Sequence, residues 1–480
     1  MNLKLVFYII GWILRFESIF MLLPSLTGLI YKEFQEALIY LMTAALCFVC
    51  GYFCSLYSNK TSQLYPKEGF LSVSLGWIAM SIFGALPFIF TGEIPSFTDA
   101  LFETISGFTT TGASILSNVE ALSHASLFWR SFTHWIGGMG VFVFIMAILP
   151  MMGGSTMNLM KAESTGPSVG KLVPKAKDTA KILYLLYFSM TLAEIIALLL
   201  CGLPLFDSMT LTFGSVGTGG FGIKNSSIAD YAPIAQNVIT IFMILSGINY
   251  TAYFCILRKQ FKEAITLEEV RLYLLIILVS GVLISLNTYS IYGSVEETLR
   301  HAFFQVGSII TTTGFATTDF NTWPMLSKSI LVTLMFIGAC AGSTGGGIKV
   351  SRIILLCKSI QKELSILVHP RMVKKIKVDN RPISHEVIRS TNIFIAFYFM
   401  IFFLSLLLIS LENIDFTSTF TAVAATLNNI GPGLDMVGPT QNFSFFSDFS
   451  KYVLMFNMLV GRLEIFPMLI LFHPVCWKKY

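Results

Sequence analysis

Charged residues are scarce in this sequence. Lysine, arginine, aspartate and glutamate make up 12% of its 480 residues, whereas soluble globular proteins carry about a quarter. Hydrophobic residues make up 54%, and the mean hydropathy is +0.73. The few charges lie in clusters that are separated by long uncharged runs. This composition excludes an ordinary soluble domain and predicts a protein embedded in a lipid bilayer.

Patterns typical of metal centres and hydrolases are also lacking. Among the eight cysteines, no C-x-x-C pair is matched by a second pair or by histidines, which argues against zinc and against a disulfide framework. His385-Glu386 lacks the second histidine of a metalloprotease, and the sequence has no nucleotide-binding motif. We therefore predict that the protein is not an enzyme and has no organic cofactor.

Runs of about 20 apolar residues predict membrane-spanning helices. The sequence contains about ten such runs, eight of them regular. The regular runs are Ala37–Tyr57, Phe70–Phe90, Leu127–Met151, Ile182–Leu203, Ile234–Leu257, Leu272–Ile291, Thr391–Leu411 and Tyr452–Phe472. Two less regular runs lie near Leu5–Ile30 and from Leu326 onward.

Basic residues are concentrated in alternate connections between these runs. Residues 161–181 carry five lysines, residues 258–271 four basic residues and residues 349–389 ten, whereas residues 92–127 carry none before the next span. The positive-inside rule places the basic connections and both termini in the cytoplasm. A membrane-surface or nucleic-acid role for these clusters is an alternative, but topology alone explains the bias, so no nucleic-acid partner is predicted.

The outer connections contain a fourfold repeat. Each has a short segment that is too short to span a bilayer, then a tetrapeptide rich in threonine and glycine, then a stretch leading to the next span. The short segments are Phe97–Phe108, Phe206–Val216, Val295–Ile310 and Phe416–Leu427. The tetrapeptides are Thr110-Thr111-Gly112-Ala113, Thr218-Gly219-Gly220-Phe221, Thr312-Thr313-Gly314-Phe315 and Asn429-Ile430-Gly431-Pro432.

This arrangement predicts a path for a monovalent cation. Non-helical backbone at membrane depth is tolerated only where protein buries it or where it lines a water-filled path. A short helix followed by an extended loop with glycine can aim several carbonyl oxygens at one axis, where they replace the hydration shell of the ion. The alternative is four ordinary glycine-rich outer turns. Four equivalent placements in one chain favour the ion path.

Six stretches carry a resemblance to a known family. They are Thr109-Thr110-Thr111-Gly112-Ala113-Ser114, Thr218-Gly219-Gly220-Phe221-Gly222, Thr311-Thr312-Thr313-Gly314-Phe315, Asn428-Asn429-Ile430-Gly431-Pro432-Gly433, Ala341-Gly342-Ser343-Thr344-Gly345-Gly346-Gly347-Ile348-Lys349 and Gly461-Arg462-Leu463-Glu464-Ile465-Phe466-Pro467. On these motifs, nearly the whole chain resembles the Trk branch of the Trk/Ktr/HKT superfamily of cation transporters.

The resemblance implies an all-α membrane protein in which an N-terminal helical hairpin precedes four pseudo-symmetric helix–pore-loop–helix repeats around one central pore. The implied limits are 1–64 for the hairpin and 65–170, 171–262, 263–380 and 381–480 for the repeats. The family's filter residues carry over to Thr110, Thr111, Gly112, Thr218, Gly219, Gly220, Thr312, Thr313, Gly314, Asn429, Ile430 and Gly431. Only the fourth repeat departs from the Thr-x-Gly pattern.

The ion and the partners are likewise implied by the resemblance. Serine at the first filter position goes with sodium permeation in some plant members of the superfamily, so Gly112 points to potassium as the transported ligand. Relatives form homodimers in the bacterial inner membrane, in contact with lipid. They sit on a separate cytoplasmic nucleotide-binding regulator of the TrkA type. The basic connections 161–181 and 349–389 are candidate docking surfaces for it.

A glycine run inside the span that begins near Leu326 predicts a break. Four glycines in six residues, each costing up to ~1 kcal/mol relative to alanine in a helix, favour a hinge or an intramembrane loop at 341–347. Close packing of two helices through small residues is the alternative. The resemblance implies a gating loop here, and the predicted gate residues are Gly342, Ser343, Thr344, Gly345, Gly346, Gly347, Lys349 and Arg462.

Arg462 lies within an apolar run, where an arginine is costly and indicates a functional role. In relatives the matching arginine sits beside the pore below the filter. A structural pair with a carboxylate on another helix, such as Glu194, is the alternative.

The predicted function is therefore potassium uptake through a carbonyl-lined filter that an intramembrane loop gates. A sodium- or proton-coupled potassium symporter and a less selective potassium/sodium pathway are the alternatives. An inverted-repeat carrier is disfavoured, because all four units run in the same direction. A purely structural or receptor role leaves the fourfold pattern unexplained.

Overall fold

The computed structural model describes residues 3–56, 66–140, 176–372 and 375–474. The predicted limits near 64 and 170, most of the basic connection 161–181 and the C-terminal Lys478 and Lys479 lie outside these residues. The domain limits therefore stay predictions.

The described chain opens with a helical hairpin. Its helices are α1 (Leu3–Phe20), α2 (Leu22–Ile30) and α3 (Phe34–Ser55). A Cβ added at Gly11 would lie 2.6 Å from the carbonyl oxygen of Gly51, so the backbones of α1 and α3 touch. Small residues allow this approach, which is typical of helices that associate in a membrane. Large apolar side chains such as Leu26, Phe34 and Met42 stay exposed on the outside.

Four units with the same order of elements follow the hairpin. The first unit contains α4 (Pro66–Thr91), α5 (Phe97–Phe108) and α6 (His124–Met139). The second contains α7 (Ala176–Leu200), α8 (Leu205–Val216), α9 (Pro233–Ser246) and α10 (Tyr250–Leu257). The third contains α11 (Phe261–Thr266), α12 (Glu268–Tyr292), α13 (Val295–Ile310), α14 (Met325–Ile337) and α15 (Val350–Val368). The fourth contains α16 (His385–Ile409), α17 (Phe416–Leu427), α18 (Asp448–Arg462) and α19 (Phe466–Leu469).

The four short helices α5, α8, α13 and α17, hereafter the pore helices, lie where the sequence predicts them. Three have the predicted bounds, and α8 begins one residue earlier, at Leu205. Asp415 begins the fourth by accepting a hydrogen bond from the Ser418 backbone N–H at 2.8 Å. Slight burial acts to raise the pKa of this carboxyl, but the hydrogen bonds from Ser418 prevail and lower it.

Six of the ten predicted spans are confirmed as single long apolar stretches of helix. They are Leu3–Ile30, Phe34–Ser55, Lys67–Thr91, Ala180–Leu200, Glu268–Tyr292 and His385–Glu412 in the described part of the chain.

Of the other four predicted spans, those of the second and fourth units are interrupted, which corrects the expectation of continuous helices, and that of the third unit is interrupted where its glycine run predicts a break. In the second unit, α9 and α10 meet at an angle of 91°. In the third, α14 ends at Ile337 and no helix follows until Val350. In the fourth, α18 ends at Arg462, and Glu464 and Ile465 adopt positive φ before Pro467 begins the next turn. In the first, α6 ends at Met139, and the rest of the predicted span after Gly140 lies outside the described residues.

Within the described residues, a small β-hairpin is the one element that an all-α prediction does not contain. Strand β1 (Lys377–Val378) pairs antiparallel with β2 (Arg381–Pro382). The two residues between them, Asp379 and Asn380, have φ of +49° and +61°. Such a turn matches the twist of a hairpin, and aspartate and asparagine tolerate this conformation.

Candidate functional site

The four tetrapeptides share one unusual backbone conformation. The first residue of each is left-handed, with φ of +54° at Thr110, +54° at Thr218, +59° at Thr312 and +55° at Asn429. The glycine two positions later also has positive φ, from +79° at Gly112 to +97° at Gly431, while the residue between has not. A left-handed threonine is rare because its branched Cβ crowds the backbone. Strain that recurs at four equivalent positions indicates a functional constraint.

The four loops that carry these tetrapeptides form a closed ring. A Cβ added at Gly112 would overlap the carbonyl oxygen of Gly219, one at Gly220 that of Thr313, and one at Gly314 that of Ile430. A Cβ at Gly431 would lie 2.7 Å from the carbonyl oxygen of Thr111. Thr111 belongs to the first loop, so this contact closes the ring. Each loop therefore contacts the next in chain order, around one axis. Glycine is required because no side chain fits between neighbouring loops.

The ring closes the bottom of a cavity of ≈ 130 Å³. All four glycines line it, namely Gly112, Gly220, Gly314 and Gly431. Its upper wall includes polar residues such as Asn225, Gln441 and Asn442. The structure thus brings the predicted filter residues of all four units to one place.

Asn429 explains how the fourth loop fits despite its different sequence. Its side-chain amide donates to the Thr111 hydroxyl at 2.9 Å and to the Met458 carbonyl at 2.9 Å. Within the first and third loops, the hydroxyls of Thr109 and Thr111 and those of Thr311 and Thr313 are hydrogen-bonded to one another. Asparagine adopts the left-handed conformation more readily than threonine does, and here it also connects the last loop to the first.

A buried ion pair supports the first two loops, and the sequence analysis missed it. Arg130 on α6 donates to Glu103 on the first pore helix at 2.5 Å and to the Gly222 carbonyl at 2.8 Å. Glu103 also accepts from the Ile115 N–H at 3.0 Å and from the Ser114 hydroxyl at 2.9 Å. The available signal was Arg130 inside an otherwise uncharged predicted span, together with Glu103 in the middle of a short segment ahead of it.

His134, also on α6, joins the same two units. Its Nδ1 lies 2.8 Å from the Gly107 carbonyl, and its Nε2 accepts the Phe221 backbone N–H at 3.2 Å. These two contacts require the neutral tautomer in which Nδ1 carries the proton and Nε2 accepts a hydrogen bond. Arg130 and His134 therefore hold the first two loops from behind.

Residues 338–349, hereafter the intramembrane loop, lie directly beneath the ring. The N–H of Gly346 donates to the Thr312 hydroxyl at 2.6 Å. A Cβ at Gly345 would lie 2.8 Å from the Thr311 carbonyl oxygen, and one at Gly346 would lie 2.5 Å from that of Asn428. Residues 338–349 are thus non-helical backbone and do not form the helix that the packing alternative requires. Whether the loop moves stays a prediction.

The remaining predicted gate residues belong to this loop or contact it. Ser343 donates to the Cys340 carbonyl at 2.6 Å, and the Thr344 hydroxyl donates to the Ser246 carbonyl at 3.2 Å, at the break after α9. Gly342 and Gly347 have φ of +66° and +77°, which glycine allows without strain. Lys349 is buried, and its ammonium donates to the Gly345 carbonyl.

Arg462 connects three parts of the site. Its guanidinium donates to the Thr110 hydroxyl at 3.3 Å, to the Thr344 carbonyl at 2.9 Å, and to the carbonyls of Gly137 and Gly138 at the end of α6. The arginine thus lies below the ring and against the intramembrane loop. Glu194, the alternative partner, instead accepts from the Ser215 hydroxyl of the second pore helix at 2.5 Å.

Comparison with known proteins agrees with this architecture. The model of the cation transport protein family TrkH matches residues 39–479. The chain belongs to this family. Its fold class is therefore the predicted one, and its relatives are transport proteins rather than enzymes.

Full-length relatives carry the same family name. The chain is 39% identical over 495 residues to the Trk system potassium uptake protein TrkH of Salmonella typhimurium, with 100% of each chain covered. It is 34% identical to the Trk system potassium uptake protein TrkG of Escherichia coli, covering 100% of this chain and 99% of that one. The crystal structure of the potassium transporter TrkH from Vibrio parahaemolyticus superposes with a TM-score of 0.89 at 35% identity, covering 100% of both chains.

Proposed function

We propose that this protein takes up potassium across the bacterial inner membrane through the ring of four loops. The observation that carries the proposal is the repeated backbone of the ring, in which four left-handed residues and four glycines recur around one axis. The relatives at 34–39% identity are named potassium uptake proteins, which supports the choice of ion.

The alternation of positive and negative φ gives the ring its proposed chemistry. Left-handed and ordinary backbone in succession turns neighbouring peptide units so that their carbonyl oxygens face the same side. Oxygens from four loops then replace water around a dehydrated monovalent cation. The C-terminal ends of the pore helices lead into the loops and add their partial negative charge on the side of the ion.

The intramembrane loop is the proposed gate. It lies below the ring, contacts the third and fourth loops, and is tied to the break between α9 and α10 by the hydrogen bond from the Cys340 N–H to the Gly247 carbonyl at 3.1 Å. Backbone in this position obstructs the exit from the filter, so conduction requires that it move aside.

Arg462 is proposed to form an electrostatic barrier below the filter. Two unit charges about 8 Å apart interact by ~2 kcal/mol at an effective dielectric constant near 20. This repulsion keeps the ion from dwelling below the ring without closing the path. The hydrogen bond to Thr344 further couples the arginine to the gate.

The partners follow from the same proposal. The protein acts as a homodimer in contact with lipid, has both termini in the cytoplasm, and docks a nucleotide-binding regulator of the TrkA type. The described part of the second basic connection, residues 349–372 and 375–389, supports the docking surface because Arg371, Lys375, Lys377 and Arg381 are exposed on or near the β-hairpin.

Uptake of rubidium by the purified protein in liposomes tests the proposal. We expect uptake that potassium outcompetes and sodium does not. Repeating the assay with and without a sodium or proton gradient distinguishes a channel-like path from a coupled symporter. Equal uptake of sodium and rubidium would point to the less selective pathway, and no uptake of either ion would contradict the proposal.

A further inference from the structure

The intramembrane loop has two ends, and one carboxylate holds both. Glu269, in the first turn of α12, accepts the backbone N–H of Ala341 at 2.6 Å and that of Ser351 at 3.1 Å, both through Oε1. Ala341 lies before the glycine run and Ser351 just after Lys349. A single oxygen therefore brings the two ends of the segment together.

The other oxygen of Glu269 joins this contact to the broken helix of the second unit. Oε2 accepts from the side-chain amide of Asn249 at 3.2 Å. Asn249 lies in the break between α9 and α10 and begins α10 by accepting the Thr251 N–H at 2.8 Å. In the same place the Tyr250 N–H donates to the Gly342 carbonyl at 3.1 Å. The loop, the break and the start of α12 thus share one set of hydrogen bonds.

The space next to these bonds leaves room for movement. A cavity of ≈ 640 Å³ is lined by Asn249, Glu269, Ala341 and Ser351, and also by residues of the β-hairpin. The loop therefore has packed protein above it, at the ring, and open volume beside its two ends. Hydrogen bonds to an ionised carboxylate are stronger than those between neutral groups.

From this geometry we infer that Glu269 is a positioning residue that holds the intramembrane loop in its obstructing position, with Asn249 as its partner. The inference rests on the proposed function, because it requires the loop to be a gate. Loss of the carboxylate removes acceptors from both ends of the loop and shifts the population towards the open arrangement. The filter contacts of the loop, such as that of Gly346 with Thr312, do not involve Glu269.

The neighbouring residue provides a matched control. Glu268 accepts the Asp379 N–H at 3.2 Å and pairs with Lys358, so it binds the β-hairpin rather than the loop. Glu269→Ala should raise resting rubidium flux about tenfold, which corresponds to ~1.4 kcal/mol. Glu269→Gln, which keeps one acceptor oxygen, should raise it less. Glu268→Gln should leave it near the wild-type level, and the rubidium-to-sodium ratio should stay unchanged in all three variants.

Exchanging the amide and the carboxylate between positions 249 and 269 tests their contact directly. This test remains available if Glu269→Ala folds poorly. Asn249→Asp keeps the acceptor for Thr251 but sets a second carboxylate against Glu269, so resting flux should rise. Combining it with Glu269→Gln restores a donor and an acceptor across the contact, and flux should return towards wild type. If Glu269 had only a structural role, the effects of the two substitutions on resting flux would instead add.

Gly346→Ala, which displaces the loop from the ring directly, distinguishes a failure of the role of Glu269 from a failure of the gate. Normal flux in the Glu269 and Asn249 variants, with raised flux in Gly346→Ala, would overturn the role of Glu269 and leave the gate standing. Normal flux in Gly346→Ala as well would overturn the gate and, with it, this inference. Raised flux in Glu268→Gln equal to that in Glu269→Gln would also overturn it.

Discussion

At the scale of single residues, the ring is built from conformations that threonine ordinarily avoids. A left-handed residue other than glycine costs of the order of 1–2 kcal/mol, and Thr110, Thr218 and Thr312 all adopt this state. Such strain persists only where the surroundings enforce it. Here Arg130, His134 and Asn429 hold the loops from behind or from the side.

Replacing Gly112 with serine tests whether the ring discriminates between ions. The new Cβ would overlap the Gly219 carbonyl oxygen, so the two loops must separate and the carbonyl ring must widen. We expect the potassium-to-sodium permeability ratio to fall about tenfold, equivalent to ~1.4 kcal/mol. The same change at Gly314 should act alike, since its Cβ would meet Ile430.

Gly202→Ser is the control for that experiment. Gly202 has φ of +88°, so serine suffers the same backbone strain there, but no atom lies within 4 Å of the new Cβ. Its ion selectivity should match the wild type. Unchanged ratios in both Gly112→Ser and Gly314→Ser would show that these glycines do not share one filter.

Arg462→Gln tests the electrostatic barrier. Removing the positive charge should raise flux or lower the half-saturation concentration for potassium, because ~2 kcal/mol of repulsion is lost. The measurement is uptake per folded molecule, with folding judged by monodispersity in detergent. Arg15→Gln removes another arginine of a spanning helix, one that contacts Ser55 in the N-terminal hairpin, and should leave flux unchanged.

A low folded yield of Arg462→Gln would instead assign the arginine to the scaffold. Its guanidinium satisfies three backbone carbonyls, and buried carbonyls that lose their partners cost about 1–3 kcal/mol each. Rescue by a second change of Glu194 to glutamine, as the alternative pairing predicts, would contradict the barrier.

Local sequence patterns point to Arg462 and to the ring residues, but not to the buried side chains that support them. The tetrapeptides repeat, and an arginine within an apolar run stands out. The pair of Glu103 with Arg130 joins residues 27 positions apart, and the contact of Glu269 with Ala341 joins residues 72 apart. No local pattern encodes such partners, because tertiary packing chooses them.

At the scale of elements, the pore helices and the break at the glycine run of the third unit were predictable, whereas the breaks in the spans of the second and fourth units were not. Each pore helix is a short apolar segment between polar connections, so its length and position are visible locally. The run Ile234–Leu257 is uncharged throughout and shows only Gly247 and Asn249 as signs of a break near its middle. The break is stabilised from outside, by the hydrogen bonds of Gly247 and Tyr250 with the intramembrane loop.

Gly346→Ala tests the intramembrane loop as an element. The added Cβ would lie 2.5 Å from the Asn428 carbonyl oxygen, so the loop must retreat from the ring, and resting flux should rise several-fold. Gly342→Ala introduces strain at φ +66°, but its nearest neighbour would be 3.5 Å away, so the loop keeps its place and flux should change less. The measurement is resting rubidium flux at equal folded protein. Equal flux in both variants would show that contact with the ring does not set the position of the loop.

At the scale of the whole molecule, one chain supplies all four sides of the ring. Gly431 of the last unit contacts Thr111 of the first, so the ring closes without a second subunit. The four units are nevertheless unequal. Among the described residues, the glycine-rich loop under the ring belongs to the third unit, and Arg462 to the fourth. In the proposed function the fourfold geometry selects the ion, whereas the departures from symmetry provide the gate.

A mixing experiment tests whether each chain conducts alone. Wild-type chains are co-expressed with chains that carry Gly314→Arg, which sets a positive charge among the filter carbonyls and should abolish flux while the protein stays in the membrane. The proposed homodimer with one chain of each kind is isolated through two different tags. It should conduct about half as much as the wild-type dimer, because a ring closed within one chain does not depend on its neighbour. A pathway between two subunits would be lost entirely in the mixed dimer. Half of the wild-type flux therefore locates the path within the ring of a single chain. Complete loss of flux would place the path at the subunit interface.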